Sequence, residues 1–162
     1  MTEKDMFIQT WEREFQTTLK VLKAYPTNKL ELKPHERSRS AKELAWTFVL
    51  EEKVFCNGCI TGKFDFENLP QPPATLQEIL TEYEKSHEQM MSKLKQLPEE
   101  NLNTAIKFMV APKQMGDVRR GDLLWMMVMD KVHHRGQFSV YLRMAGGKVP
   151  SIYGPSADEP WM

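Results

Sequence analysis

The distribution of apolar residues along the chain has the period of amphipathic helices in four long stretches. In the first, from about Glu3 to Ala24, apolar residues recur at spacings of three and four and the remaining positions are mostly polar. These apolar residues are Ile8, Trp11, Phe15, Leu19 and Leu22. Pro26 ends the helix, and the polar stretch from Thr27 to Arg39 predicts a loop.

Two capping boxes mark where the next two helices begin. Ser40 and Thr75 are each followed three residues later by a glutamate, so that hydroxyl and carboxylate can bind free backbone N–H groups of the first turn. The second helix is predicted from Ser40 to about Cys59, and the third from Thr75 to about Leu97.

Beyond the third helix, Thr104 to Val110 has the composition of a short extended segment. The fourth helix is predicted to start at Asp117 or a neighbour and to end near Ala145, where Gly146-Gly147 supplies a C-terminal cap. The tail from Lys148 onward contains three prolines and is expected to be irregular.

Four amphipathic helices without alternating strands predict an all-α fold, an up-down four-helix bundle with an irregular C-terminal tail. A chain of 162 residues is the size of one domain, so the bundle is expected to span residues 1–162. The two cysteines, Cys56 and Cys59, are too few for a disulfide scaffold and favour a reducing, cytoplasmic location.

Charge and hydropathy exclude two classes of partner. The 22 basic residues are balanced by 22 acidic ones, whereas a nucleic-acid-binding surface needs an excess of positive charge, so no nucleic acid is expected. No apolar stretch approaches the roughly 18 residues of a membrane span, so no membrane is expected either.

The predicted fourth helix carries ionisable residues in the stripe that should face the core. From Leu123 the spacing of three and four passes through Met127, Asp130, His134, Phe138 and Tyr141. Asp130 and His134 therefore project from one face, and a buried carboxylate needs a partner. Two interpretations are open: a divalent metal bound by both side chains, or a hydrogen-bonded polar patch without chemistry.

Two stretches of the sequence resemble the DinB-like family. One is the second-helix segment from Ser40 to Phe48. The other is the C-terminal pattern His133-His134-Arg135-Gly136-Gln137, Tyr141-Leu142-Arg143, Gly146-Gly147, Pro150 and Tyr153-Gly154. The resemblance implies a four-helix bundle, often a homodimer, that holds Zn²⁺ or Ni²⁺ through three histidines, one on helix two and two on helix four. It also implies that the metal activates a low-molecular-weight thiol.

The expected ligands are only partly present. His134 matches one helix-four histidine, but Asp130 stands four residues before it and Thr47 occupies the helix-two position. Glu51, one turn after Thr47, is the replacement ligand we predict. A site of one histidine and two carboxylates is more suited to Mn²⁺, Fe²⁺ or Mg²⁺ than to Zn²⁺, and the candidate cofactor is a divalent ion of Mn, Fe, Ni or Zn.

The resulting hypothesis is a DinB-like protein with a modified divalent-metal site, acting as a thiol-dependent transferase. Thr47, His133 and Gln137 are predicted to line its pocket, and Arg135 to point away from the bundle axis toward an acidic residue of a neighbouring helix. The alternative is a non-catalytic bundle that has lost the metal and serves as a binding or stress-response module. The identity of the thiol and of its reaction partner is not encoded in these motifs.

Overall fold

A computed structural model describes all 162 residues and contains four long helices. Helix α1 spans Glu3–Lys23, α4 spans Leu76–Gln96 and α5 spans Arg120–Met144. The remaining long helix is continuous but composite: α2 at Ala41–Leu50, a π-helical segment at Glu51–Cys56, and α3 at Asn57–Thr61. Short 3₁₀ turns lie at Thr27–Lys29 and Glu99–Asn103.

The helix starts follow the predicted capping chemistry. The hydroxyl of Ser40 accepts the N–H of Glu43 at 3.2 Å, and the Glu43 carboxylate accepts the N–H of Ser40 at 2.6 Å. Thr75 and Glu78 form the same reciprocal pair, at 3.2 and 3.0 Å. Both predicted N-termini are therefore confirmed, because each box satisfies N–H groups that have no partner inside the helix.

The prediction of an all-α fold is wrong, because a two-stranded antiparallel sheet lies between α4 and α5. Strand β1 spans Ala105–Ala111, in agreement with the predicted extended segment, and β2 spans Gln114–Arg119. The predicted start of the fourth helix near Asp117 is also wrong. Asp117 lies in β2 opposite Lys107, with an ion pair of 2.9 Å, and α5 begins at Arg120.

The apolar core consists of two clusters at different levels of the bundle. One has 19 buried residues and includes Phe15, Phe48 and Phe138; the other has 14 and includes Trp11 and Met127. Each long helix contributes to both clusters. Helix α1, for example, places Trp11 in one cluster and Phe15 in the other. The stretch of each helix between the clusters lies at their boundary.

The C-terminal tail leaves α5 through a glycine and then returns to the bundle. Gly146 has a φ of +83°, a conformation that favours glycine, and its N–H bonds to the carbonyl of Arg143 at 3.1 Å. The Asp158 carboxylate accepts a hydrogen bond from the Arg143 guanidinium at 2.6 Å and one from the N–H of Val149 at 2.8 Å. These two bonds hold the tail in place. None of the helices has the length and apolar character needed to cross a bilayer.

Candidate functional site

Between the two apolar clusters, all four helices place buried polar side chains inside the bundle. We call this set the polar layer. It consists of Glu14, Thr18, Glu51, Glu52, Ser86, His87, Lys131, His134 and Arg135. Three of these residues are glutamates, and only two are permanent cations. Because an unpaired charge inside a protein is costly, the partner of each glutamate decides what the layer can do.

Glu14 of α1 is paired with Arg135 of α5. The guanidinium donates to a carboxylate oxygen at 2.6 Å and to the Thr18 hydroxyl at 3.1 Å, and the Tyr153 hydroxyl from the tail donates to the same carboxylate oxygen. Burial alone would raise the pKa of Glu14, but the hydrogen bonds from Tyr153 and Arg135 outweigh burial and leave the pKa below its ordinary value. Glu14 is thus a stable anion.

Glu52 of the π-helical segment is paired with Lys131 of α5. Its carboxylate accepts the Lys131 ammonium at 2.7 Å, the Trp11 indole N–H at 2.9 Å and the Nδ1 of His87 at 3.2 Å. The ammonium also lies 3.6 Å from the centre of the Trp11 ring. Against the upward effect of burial, the charge of Lys131 holds the pKa of Glu52 below its ordinary value.

Glu51, next in the chain, has no permanent cation as a partner. Its Oε1 lies 2.9 Å from Nδ1 of His134, while its Oε2 is buried without any hydrogen-bond partner. Burial raises the pKa of Glu51 above its ordinary value, and the hydrogen bond from His134 and the charge of Lys131 compensate only in part. Of the three buried glutamates it is the one that lacks full compensation.

Asp130 completes the group around His134. Its Oδ2 lies 3.5 Å from the same Nδ1 that contacts Glu51, and its side chain is 43% exposed. One ligand atom from each of Glu51, Asp130 and His134 lies within 4.8 Å of the other two. The structure therefore brings together the three residues predicted as metal ligands, with Glu51 buried and Asp130 at the solvent side.

These three residues have donor atoms suited to one divalent cation, at a spacing slightly wider than a bound ion requires. Two ligand atoms that each bind an ion at about 2.1 Å can be at most about 4.2 Å apart. This is slightly less than the 4.8 Å within which the three ligand atoms lie. Asp130, whose side chain is the most exposed of the three, is the ligand that would have to shift to close the difference. A cation here would also give the unpartnered Glu51 oxygen the positive neighbour that it lacks.

The three residues predicted to line the pocket occupy different environments. Thr47 is buried and accepts the Arg39 guanidinium at 2.6 Å. Gln137 is exposed on α5 and lies 3.0 Å from Nε2 of His133, which is also exposed. Gln137 lines a cavity beside Arg39, and His133 is not among the residues that line it.

Sequence reasoning missed most of the polar layer. The prediction that Arg135 points away from the axis is wrong, since the side chain is 1% exposed, although its partner is indeed an acidic residue of a neighbouring helix. A signal was present: Lys131 and Arg135 continue the spacing of three and four between Leu124 and Phe138, a second core-facing stripe. Nothing local identified Glu14, Glu52 and His87 as the partners.

Comparisons with known proteins agree on one family. A model described as the DinB family matches residues 1–161. The chain is 30% identical over 157 residues to the uncharacterized protein YrdA of Bacillus subtilis (strain 168), covering 96% of this chain and 90% of that one. A DinB-like protein crystal structure from Bacillus cereus superposes with a TM-score of 0.77 at 25% identity, covering 91% of this chain and 95% of the other. A second, YjoA from Bacillus subtilis, gives 0.75 at 23% identity, with coverages of 91% and 97%.

Proposed function

The chain belongs to the DinB family, and from this premise we propose that it binds a divalent cation through Glu51, Asp130 and His134. The observation that carries the proposal is the buried Glu51 carboxylate. Its Oε2 has no partner, while the other two glutamates of the polar layer are neutralised by Arg135 and Lys131. A cation between Glu51 and Asp130 would neutralise the remaining acid.

The composition of the site favours Mn²⁺ or Fe²⁺ over Zn²⁺ or Ni²⁺. Two carboxylates and one imidazole are harder donors than three imidazoles, and hard donors favour ions that prefer oxygen. Thr47, which takes the place of a histidine, is already hydrogen-bonded to Arg39 and to the carbonyl of Glu43, so it is not a free ligand.

We propose that the reaction is the transfer of a small-molecule thiol, and that it takes place in the cytoplasm. A bound divalent cation would lower the pKa of a thiol so that thiolate forms near neutral pH. The residues of this chain would hold the cation, with the half-exposed Asp130 on the side from which a thiol approaches. The protein's own thiols are unsuited to that task, because burial raises the pKa of Cys56 and brings that of Cys59 to about 12.

Metal titration of tag-free protein tests the site. We expect Mn²⁺ to bind one ion per chain in isothermal titration calorimetry, and His134→Ala to abolish the binding. His133→Ala is the matched control, since it removes the adjacent, exposed imidazole and should leave the titration unchanged. Stoichiometry below about 0.1 ion per chain with Mn²⁺, Fe²⁺, Zn²⁺ and Ni²⁺ alike would contradict the proposal, since a ligand set this close should bind at least one of them.

The alternative function, a non-catalytic binding module without metal, has one observation in its favour. Nδ1 of His134 lies 2.9 Å from Glu51 and 3.5 Å from Asp130, so the imidazole is already a polar partner of both carboxylates without a metal. In that case Glu51→Gln should change stability alone, whereas in a metal centre the same substitution also weakens Mn²⁺ binding. The titration therefore separates the two functions.

We also propose that the protein is a homodimer that pairs through α5. The outer face of this helix exposes the large apolar side chains of Met126 and Met129, one turn apart, and that of Met144 near its C-terminal end.

A further inference from the structure

A cavity of about 430 Å³ lies along the seam between α2 and α5, close to the proposed metal site. Its lining residues come from the loop before α2, from α2 itself and from α5. They are Pro34, Arg37, Ser38, Arg39, Leu44, Gln137, Val140 and Tyr141. Two guanidinium groups, a hydroxyl, a carboxamide and a phenol give this cavity a positive and hydrogen-bonding wall, which differs from the apolar lining of most small-molecule pockets.

Arg39 is held in place from two directions. Its Nη1 donates to the buried Thr47 hydroxyl at 2.6 Å, and its carbonyl accepts the Tyr141 hydroxyl at 2.9 Å. The Thr47 hydroxyl is itself fixed, because it donates to the carbonyl of Glu43 at 3.1 Å. The guanidinium is thereby pre-organised, and a pre-organised side chain loses less entropy when a ligand binds.

The two arginines of the cavity lack an acidic partner. Neither Arg37 nor Arg39 forms an ion pair with a carboxylate in the structure, in contrast to Arg119, Arg135 and Arg143. A guanidinium presents a planar set of donors that matches a carboxylate, and only one donor of Arg39 is engaged. An anionic ligand would supply the missing partner.

The position of the cavity relates it to the proposed metal site. On α2, Thr47 precedes Glu51 by about one helical turn, and on α5, Gln137 and Tyr141 follow His134 by about one and two turns. With a pitch of about 5.4 Å, the cavity lies roughly 5–10 Å from the three ligands along the same seam. A small molecule of that length can reach both places.

We propose that this cavity binds a carboxylate of the substrate, with Arg39 as its main contact, so that the thiol of the same molecule reaches Glu51, Asp130 and His134. The substrate class is therefore a thiol that bears a carboxylate. The thiol half of this inference rests on the proposed function, whereas the carboxylate half does not, because it depends only on Arg39 and its surroundings. Thr47 acts as a positioning residue for Arg39.

Two matched pairs of probes test the inference. Hexanoate and hexanol, added to protein without metal, differ only in the carboxylate; mercaptohexanoate and mercaptohexanol, added to Mn²⁺-loaded protein, repeat the comparison with a thiol. We expect each carboxylate to bind more tightly than its alcohol, in NMR titrations of the Gln137 side-chain amide for the metal-free protein and in isothermal titration calorimetry for the Mn²⁺-loaded protein. Arg39→Gln should weaken hexanoate binding by roughly fivefold to tenfold, as for the loss of a charged hydrogen bond.

Control variants distinguish the effect of the position of Arg39 from that of the total positive charge of the loop. Lys33→Gln removes a positive charge from the same loop without touching the cavity and should leave hexanoate binding unchanged. Thr47→Val should weaken it, and Thr47→Ser, which keeps the hydroxyl, should restore it. If hexanoate binds but mercaptohexanoate binds no more tightly to the Mn²⁺-loaded protein, the carboxylate site is supported and the proposed metal-thiol function is contradicted. If hexanoate and hexanol bind equally, or Arg39→Gln has no effect, the inference is overturned.

Discussion

Three glutamates in the polar layer show how the neighbours of a residue decide its chemistry. Glu14, Glu51 and Glu52 are equally removed from water, each at most 2% exposed. Tyr153 and Arg135 compensate Glu14, Lys131 compensates Glu52, and the pKa of both acids is lowered, whereas burial raises the pKa of Glu51 because the hydrogen bond from the His134 imidazole offsets it only in part. The acid that the fold leaves uncompensated is thus the one that belongs to the proposed metal site.

At the same scale, the Glu52–Lys131 pair should be strongly coupled. Lys131→Met leaves the Glu52 carboxylate buried without its cation, and we expect it to lower the free energy of unfolding by about 3–5 kcal/mol. Lys131→Met combined with Glu52→Gln removes both charges and should recover more than half of that loss. Urea denaturation of the two single variants and the double variant measures the coupling.

An exposed pair is the control for this cycle. Lys85 and Glu82 lie 3.4 Å apart on α4, and the Lys85 side chain is 59% exposed. Lys85→Met should therefore cost no more than about 1 kcal/mol. If the losses from Lys131→Met and Glu52→Gln simply add in the double variant, the two groups do not interact as the structure indicates.

Glu14 predicts a pH dependence of stability. Because its pKa in the folded chain is below the ordinary value, its ionised form stabilises the fold above about pH 4.3, and this stability is lost as the pH falls through the folded pKa. Glu14→Gln should therefore be less stable than the wild type at pH 7 and lose less stability between pH 5 and 3. Thermal unfolding across this range measures both, with the exposed Glu100→Gln as a control that should parallel the wild type.

At the scale of elements, the caps carry a defined part of the stability. Ser40 closes the N-terminus of α2 through its bond with the N–H of Glu43, and it is 2% exposed. Ser40→Ala should lower the free energy of unfolding by about 1 kcal/mol, whereas Ser40→Gly should cost only a few tenths. Guanidinium denaturation distinguishes the two, and equal losses would show that the hydroxyl does not act as a cap.

Elements with strong local signals were predictable, and those with weak ones were not. The capping boxes and the apolar period located four helices within a few residues. The first strand of the hairpin was predicted, but the second was missed because β2 has no apolar alternation: its sequence Gln-Met-Gly-Asp-Val-Arg becomes a strand by pairing with β1. Likewise, helical spacing placed Asp130 and His134 on one face, and the family resemblance pointed to Glu51 as the third candidate ligand, but the partnership of Arg135 with Glu14, 121 residues apart, depends on how the helices pack.

At the scale of the whole molecule, the polar layer divides the core. Each long helix passes from one apolar cluster to the other, and the glutamates, histidines and cations meet where the two clusters adjoin. Buried charged groups fix the register of helices more strictly than apolar contacts, because each must meet its partner. We infer that this arrangement holds Glu51 against α5, since Glu52, the next residue, is tied to Lys131.

The exposed face of α5 leads to a prediction about assembly. Met126 and Met129 lie one turn apart on this face and about three turns from Val140 of the cavity, so a two-fold axis near them would place the apolar patch of one copy against that of the other. Met129→Glu places a charge there and should convert the dimer to monomer in sedimentation velocity. Met109→Glu, at a similarly exposed methionine on β1, should leave the dimer intact. A wild-type protein that sediments as a monomer at micromolar concentration, or a dimer that persists in Met129→Glu, would show that this face is not the interface.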